Sequence, residues 1–201
     1  MSRASSTTEQ SDTRGAILDI AERLVQARGF NGFSYATIAA ELGISKAALH
    51  YHFAGKAELG EALINRYAAR FAQALAGIDA DKPSAFDRLA AYAQLYMSVL
   101  MEQRMCLCGM LAAEYQTLPD RMRGAVVAFF DSNNEWLVEL LEKGRSVGSI
   151  RFQGQATAAA QMIVGTLEGA MLVARPYADT ARFQAITDQL LSEFKPASNG
   201  A

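Results

Sequence analysis

The 201-residue chain is poor in the residues that mark several protein classes: it has 2 cysteines, 4 prolines, 2 histidines and 1 tryptophan. Two cysteines cannot build the disulfide framework of a small secreted domain and suit a reducing compartment. The scarcity of proline favours helices over a turn-rich β-sandwich. No charge of one sign dominates, since 19 Lys and Arg against 21 Asp and Glu leave a net charge of −2, so no global basic field advertises nucleic acid. Residues 1–70 nevertheless carry 8 basic against 7 acidic side chains, a net of +1, and the remainder 11 against 14, a net of −3. Uninterrupted apolar runs such as Ala125 to Phe130 fall far short of the ~20 residues that a membrane span needs. The stretch Met1 to Asp12 is rich in Ser, Thr and Gln and lacks the apolar centre of a secretory signal. The expectation is a cytoplasmic protein with no membrane contact.

What the chain does have is 51% hydrophobic residues, enough to bury a core, arranged with helical periodicity. From Thr13 to Arg28, the apolar residues Ile17, Ile20, Ala21, Leu24 and Val25 recur on one helical face. Thr13 is a candidate N-cap, and Gly29 a left-handed stop. Ser34 can cap a short helix over Tyr35 to Leu42 that Gly43 ends. Ser45 can cap another over Lys46 to His52. Further helices read as Ala57 to Asp79, Ala85 to Arg104, Leu107 to Thr117, Arg121 to Lys143, Gln155 to Ala174 and Thr180 to Phe194. Gly144 to Gly154 reads as a loop, and the chain beyond Pro196 as a polar tail. The expected fold is all-α with about nine helices: a disordered tail over 1–12, a three-helix helix-turn-helix domain over 13–56, and a helical domain over 57–201.

Two short helices joined by about three residues that include glycine form a helix-turn-helix unit. The stretch FSYATIAAELGISKAALHYHFAGKAEL, residues 33–59, resembles the TetR (tetracycline-repressor-like, TetR/AcrR) family of bacterial transcription regulators. Thr37-Ile38-Ala39, Leu42-Gly43-Ile44-Ser45, Leu49-x-Tyr51-His52-Phe53, Lys56 and Leu59 match that family's spacing. The likeness covers roughly residues 13–70, while the rest matches only in helix count and length. It implies that the third helix lies in the major groove of a double-stranded DNA operator, with Lys46, Ala47 and His50 near bases and Ser34, Tyr35, Tyr51, His52 and Lys56 on the backbone. The residues agree with this on their own terms. Ser45 and Lys46 open a helix whose free amides attract phosphate, and no acid falls between Ile44 and Lys56. So few cations imply weak binding by one copy, so a homodimer on a near-palindromic site is expected.

The resemblance also implies a C-terminal domain that binds a small-molecule effector and the partner subunit. Large soft side chains are dense over residues 71–136, and Tyr92, Tyr96, Met101, Cys106, Met110, Glu114, Tyr115, Phe129 and Trp136 are the candidates for an apolar pocket or a core. Gly165 and Gly169, four residues apart, leave a groove for a close helix. With Met171, Leu172 and Leu190 they are the candidate dimer interface, a four-helix bundle of the last two helices in the resembled family. Cys106 and Cys108 lie two apart at a helix start, and residues two apart in a regular helix point in directions too different for a disulfide. They have no further cysteine or spare histidine to complete a metal site. A thiol that Arg104 and a helix N-terminus activate toward oxidants or electrophiles is the alternative mode of response. Gly144-Arg145-Ser146-Val147-Gly148 has the spacing of a nucleophile elbow but follows a helix and lacks a histidine. The reading is a ligand-responsive repressor with no enzymatic activity, cofactor or metal.

Overall fold

The structure is a computed structural model that describes residues 3–196, so the polar tail expected beyond Pro196 lies outside the described residues. Those residues form nine α-helices and two 3-10 turns with no strand, as the helical periodicity requires. The described residues divide into two compact units, one of residues 3–68 and 107–127, the other of 69–106 and 128–196. The expected boundary at residue 56 is therefore displaced. The helix-turn-helix unit also takes twelve further residues of the chain after Lys56 and a later segment, because Leu59, Leu63 and Ile64 are fully buried apolar positions that need that cover.

In the first unit, α1 (Arg3–Arg28) begins ten residues before the expected cap at Thr13. The polar stretch expected to be disordered contains no Pro or Gly to stop a helix propagating toward the N-terminus. Ile17, Leu18, Ala21, Leu24 and Val25 fill the core. Then come α2 (Tyr35–Leu42) and α3 (Lys46–His52), with the bounds that their caps imply. Ser45 Oγ accepts from the Ala48 amide at 3.0 Å. Gly43 sits at φ 67°, ψ 26°, and the Ile44 amide reaches back to the Ala39 carbonyl at 3.0 Å, a Schellman stop. α4 (Lys56–Asp81) leaves this unit for the second. α6 (Leu107–Ala113), a 3-10 turn at Tyr115–Thr117 and the start of α7 (Asp120–Ser146) complete the first unit. A Cβ on Gly60 of α4 would lie 2.5 Å from Met122 of α7, so glycine permits that close crossing.

In the second unit, α5 (Ala85–Met101) ends three residues early, because Gln103 takes a positive φ of 58° and the Arg104 amide turns back to the Val99 carbonyl at 3.1 Å. α7 runs to Ser146, into the expected loop. Then follow α8 (Ala156–Ala174), a 3-10 turn at Arg175–Tyr177 around Pro176, and α9 (Thr180–Ser192). Leu89, Tyr92, Leu137, Leu141, Ile163, Leu167, Met171 and Phe183 are the buried centre of this unit.

Candidate nucleic-acid interface and effector region

The Schellman stop and the Ser45 cap orient α3 so that Leu49 is fully buried while Ser45, Lys46, Ala47, His50 and Tyr51 are exposed. Tyr51 is 73% exposed, exceptional for a large ring. Lys46 and His50, like Ala47 and Tyr51, stand one turn apart, so the four share an outward face. The His50 Nδ1 lies 3.1 Å from the Ala54 carbonyl, which only accepts. That nitrogen therefore carries the proton, and Nε2 remains for an external partner. Ser34 is exposed, and His52 is half-buried with its ring edge-on to Tyr51 at 5.5 Å.

Two expected backbone contacts are engaged inside the unit instead. The Lys56 ammonium donates to the Phe30 and Phe33 carbonyls, the latter at 2.6 Å, and lies 4.5 and 4.3 Å from the centres of their rings. Desolvation holds it below the usual lysine range, so it clamps the α1–α2 connection rather than serving as a mobile cation. Tyr35 donates its hydroxyl to the Phe53 carbonyl at 3.1 Å. Burial, then the charge of Glu58, pushes its pKa up to about 12.

The candidate pocket residues do not converge on one place. Glu114 lies in the first unit, where its carboxylate accepts from the Phe30 and Asn31 amides and from Asn31 Nδ2 at 3.2 Å. Gly29 is at φ 81°, and a Cβ there would come within 2.9–3.0 Å of the Glu114 carboxyl atoms. The amides of the short loop Gly29-Phe30-Asn31 thus form a cradle for this carboxylate. Met110 and Tyr115 are in the same unit, with Arg123 5.8 Å from the Tyr115 ring centre. Met101 is 69% exposed beside a cleft of about 330 Å³ with Gln103, Arg175 and Asp179.

Tyr92, Tyr96, Phe129, Trp136 and Cys106 do gather in the second unit. Trp136 stacks on Tyr92 at 5.6 Å and 21° and donates to Asp79 Oδ2 at 2.9 Å. Phe71 meets Tyr92, Tyr96 and Phe129 edge-on. The hydroxyls of Tyr92 and Tyr96 are 3.1 Å apart, and Tyr92 donates to Asn133 Oδ1 at 3.3 Å. Sequence reasoning missed Phe71, Asn133 and Glu168. The last is the only charged residue within α8, and that isolation is the signal that could have found it. Burial pushes the Glu168 carboxyl up to about 7 although the Cys106 thiol hydrogen-bonds it. A carboxylate beside a thiol opposes the thiolate, and Arg104, expected to favour it, pairs with Glu102.

On α8, the glycines Gly165 and Gly169 face open space, and Met162, Leu172 and Val173 are exposed beside them. Met171 and Leu190, expected at the interface, are instead buried within the unit. They fall on the inward side of helices whose period places Leu172 outward. By length and composition Ala156–Tyr177 could cross a membrane, yet Ala160, Ile163, Leu167, Met171 and Ala174 are its core-facing side. Ser146 is the last residue of α7 and donates its hydroxyl to the Lys143 carbonyl at 2.8 Å, with no strand before it as a nucleophile elbow requires.

Comparison with known proteins agrees with this architecture. The family model for bacterial regulatory proteins, tetR family, matches residues 17–63, and that for the tetracyclin repressor-like C-terminal domain matches residues 85–190. The HTH-type transcriptional repressor NemR of Escherichia coli K12 is 27% identical over 168 residues, 82% of this chain and 84% of the repressor. A TetR-family transcriptional regulator from Agrobacterium tumefaciens has a crystal structure with a TM-score of 0.89 and 32% identity, covering 92% of this chain and 99% of that one. The reduced form of E. coli NemR gives a TM-score of 0.83 and 26% identity, covering 93% and 100% of the two chains. A helix-turn-helix with an outward-facing third helix, joined to a helical second unit of the matching kind, places the chain in the TetR family of transcriptional regulators.

Proposed function

We propose that this protein is a repressor that binds a near-palindromic operator as a homodimer in the cytoplasm and is released by a small apolar or aromatic effector bound in the second unit. The observation that carries the reading is the outward face of α3, where Ser45, Lys46, Ala47, His50 and Tyr51 are exposed at the opening and along one side of the helix. Its first-turn amides suit phosphate, and its side chains suit base edges in a major groove. Twofold symmetry would set two such helices about one helical turn of DNA apart. The Gly165, Gly169 and Leu172 face of α8 supports the pairing. α4, which begins in one unit and ends in the other, would carry the effector's influence to α3. An effector reading is favoured over thiol sensing because Cys106 is buried beside a carboxyl group that opposes its ionisation.

Purified protein incubated with fragmented DNA from its source genome at moderate salt, with the enriched fragment footprinted, tests the reading. Protection of a near-palindrome supports it, and no enrichment at any salt concentration from 50 to 200 mM, roughly the range over which phosphate contacts are lost, contradicts it. Coupling must be reciprocal, so operator DNA weakens effector binding by the factor by which effector weakens operator binding.

A further inference from the structure

Glu168 has a side chain unlike that of a solvated acid. Its residue is half-buried, but its Oε1 is sealed from solvent and has no hydrogen-bond partner. A carboxylate offers about four acceptor positions, and the Cys106 thiol supplies one weak donor. The neighbouring polar groups, Tyr92 and Tyr96 of α5 and Asn133 of α7, are engaged elsewhere. Tyr92 donates to Asn133, the Tyr96 hydroxyl lies against that of Tyr92, and Asn133 Nδ2 donates to the Phe129 carbonyl at 2.9 Å. When ionised, this carboxylate has within the cluster neither a cation nor a full set of donors, and burial accordingly favours its protonated form. An incoming neutral hydrocarbon would leave that deficit, and an anion would worsen it by like-charge repulsion. A cationic N–H group supplies both missing elements, as a charge-assisted hydrogen bond.

We propose that the effector site takes a small organic amine in its ammonium form, with the nitrogen donating to Glu168 Oε1 and the hydrocarbon or aromatic part lying against the Tyr92 and Tyr96 side chains. This rests on the reading of the second unit as the effector domain and names the chemistry of its ligand. Of the groups around Glu168, both tyrosines are pushed up by burial and stay neutral through pH 8. The Cys106 thiol acts as the donor. Glu168, whose carboxyl titrates at about 7, is therefore the group whose ionisation sets the pH dependence of amine binding. Binding an ammonium requires the carboxylate, so it expels the proton that the free site holds at low pH.

Titration calorimetry of the full-length protein with hexylamine, benzylamine and naphthylmethylamine, each against its matching alcohol, tests the proposal. At least one amine is expected to bind more tightly than its alcohol, with affinity rising about tenfold from pH 6 to pH 8 as a group titrating near 7 ionises. At pH 6 binding is expected to release close to one proton, seen as heat that depends on the buffer's ionisation enthalpy. Glu168→Gln, nearly isosteric, is expected to erase both the preference for amine and the pH dependence. Should that variant fail to fold, proton release by the unaltered protein decides alone. Alcohols binding as tightly as amines, amine binding that is flat in pH, or no binding by any amine overturns the proposal. If amines bind with the expected pH profile but leave the operator complex intact, the amine site stands and the effector reading falls. If only alcohols release operator, the effector reading stands and the amine proposal falls.

Discussion

Lys56 and Glu114 show how much a side chain's role depends on what surrounds it. From sequence, Lys56 is a cation beside a DNA-reading helix and Glu114 a polar group in an aromatic-rich segment. In the structure both are turned to the loop between α1 and α2, Lys56 on carbonyls and Glu114 on amides. Nothing local in the sequence says that Phe30 and Phe33 present carbonyls to one ammonium, since the contact spans twenty-six residues. Charge-assisted hydrogen bonds contribute about 1.5–3 kcal/mol each. Glu114→Ala is accordingly expected to lower unfolding free energy by about 2–3 kcal/mol in urea titration, with Glu114→Gln losing less. Glu168 gives the opposite sign. Its folded carboxyl is raised from 4.5 to about 7, so its contribution is fully present below about pH 4.5 and is lost as pH rises toward 7. Glu168→Gln removes that dependence. Its melting temperature relative to the unaltered protein is expected to rise between pH 5 and pH 8, and an unchanged difference would show the carboxyl to be ordinarily solvated.

Helix boundaries were legible where a residue type has one local job. Ser34, Gly43 and Ser45 mark α2 and α3 with the observed bounds, because capping and left-handed geometry are decided within a few residues. Boundaries set by tertiary context were not legible. α5 ends at Met101, before the left-handed Gln103, rather than at Arg104, and α7 continues through Gly144. Gly144 marks packing, not an end: a Cβ there would lie 2.4 Å from that of Ala85. At Gly43 an L side chain in the left-handed region costs about 1 kcal/mol. Gly43→Ala is expected to destabilise the first unit by that amount and to weaken operator binding by misorienting α3. Operator affinity measured alongside thermal unfolding checks both halves.

For the whole molecule, the all-helical class and the two-part organisation follow from periodicity and from the motif between Phe33 and Leu59. The partition between the units does not, because residues 107–127 join the first unit from far along the chain. The same applies to the expected interface, where composition alone could not tell the outward Leu172, 62% exposed, from the inward Met171, fully buried. The two positions therefore make a matched test. Leu172→Glu is expected to shift the protein from dimer to monomer in sedimentation velocity while leaving its helicity intact. Met171→Ala is expected to leave the dimer and to lower unfolding free energy by about 2–5 kcal/mol. The central claim, that the exposed face of α3 reads DNA, is tested most directly by the operator affinity of the Lys46→Ala, Tyr51→Ala variant on the footprinted fragment. Contacts of these kinds are worth about 1–3 kcal/mol each, so the account predicts at least a tenfold loss with unchanged circular dichroism. Undiminished affinity in a folded variant would contradict it.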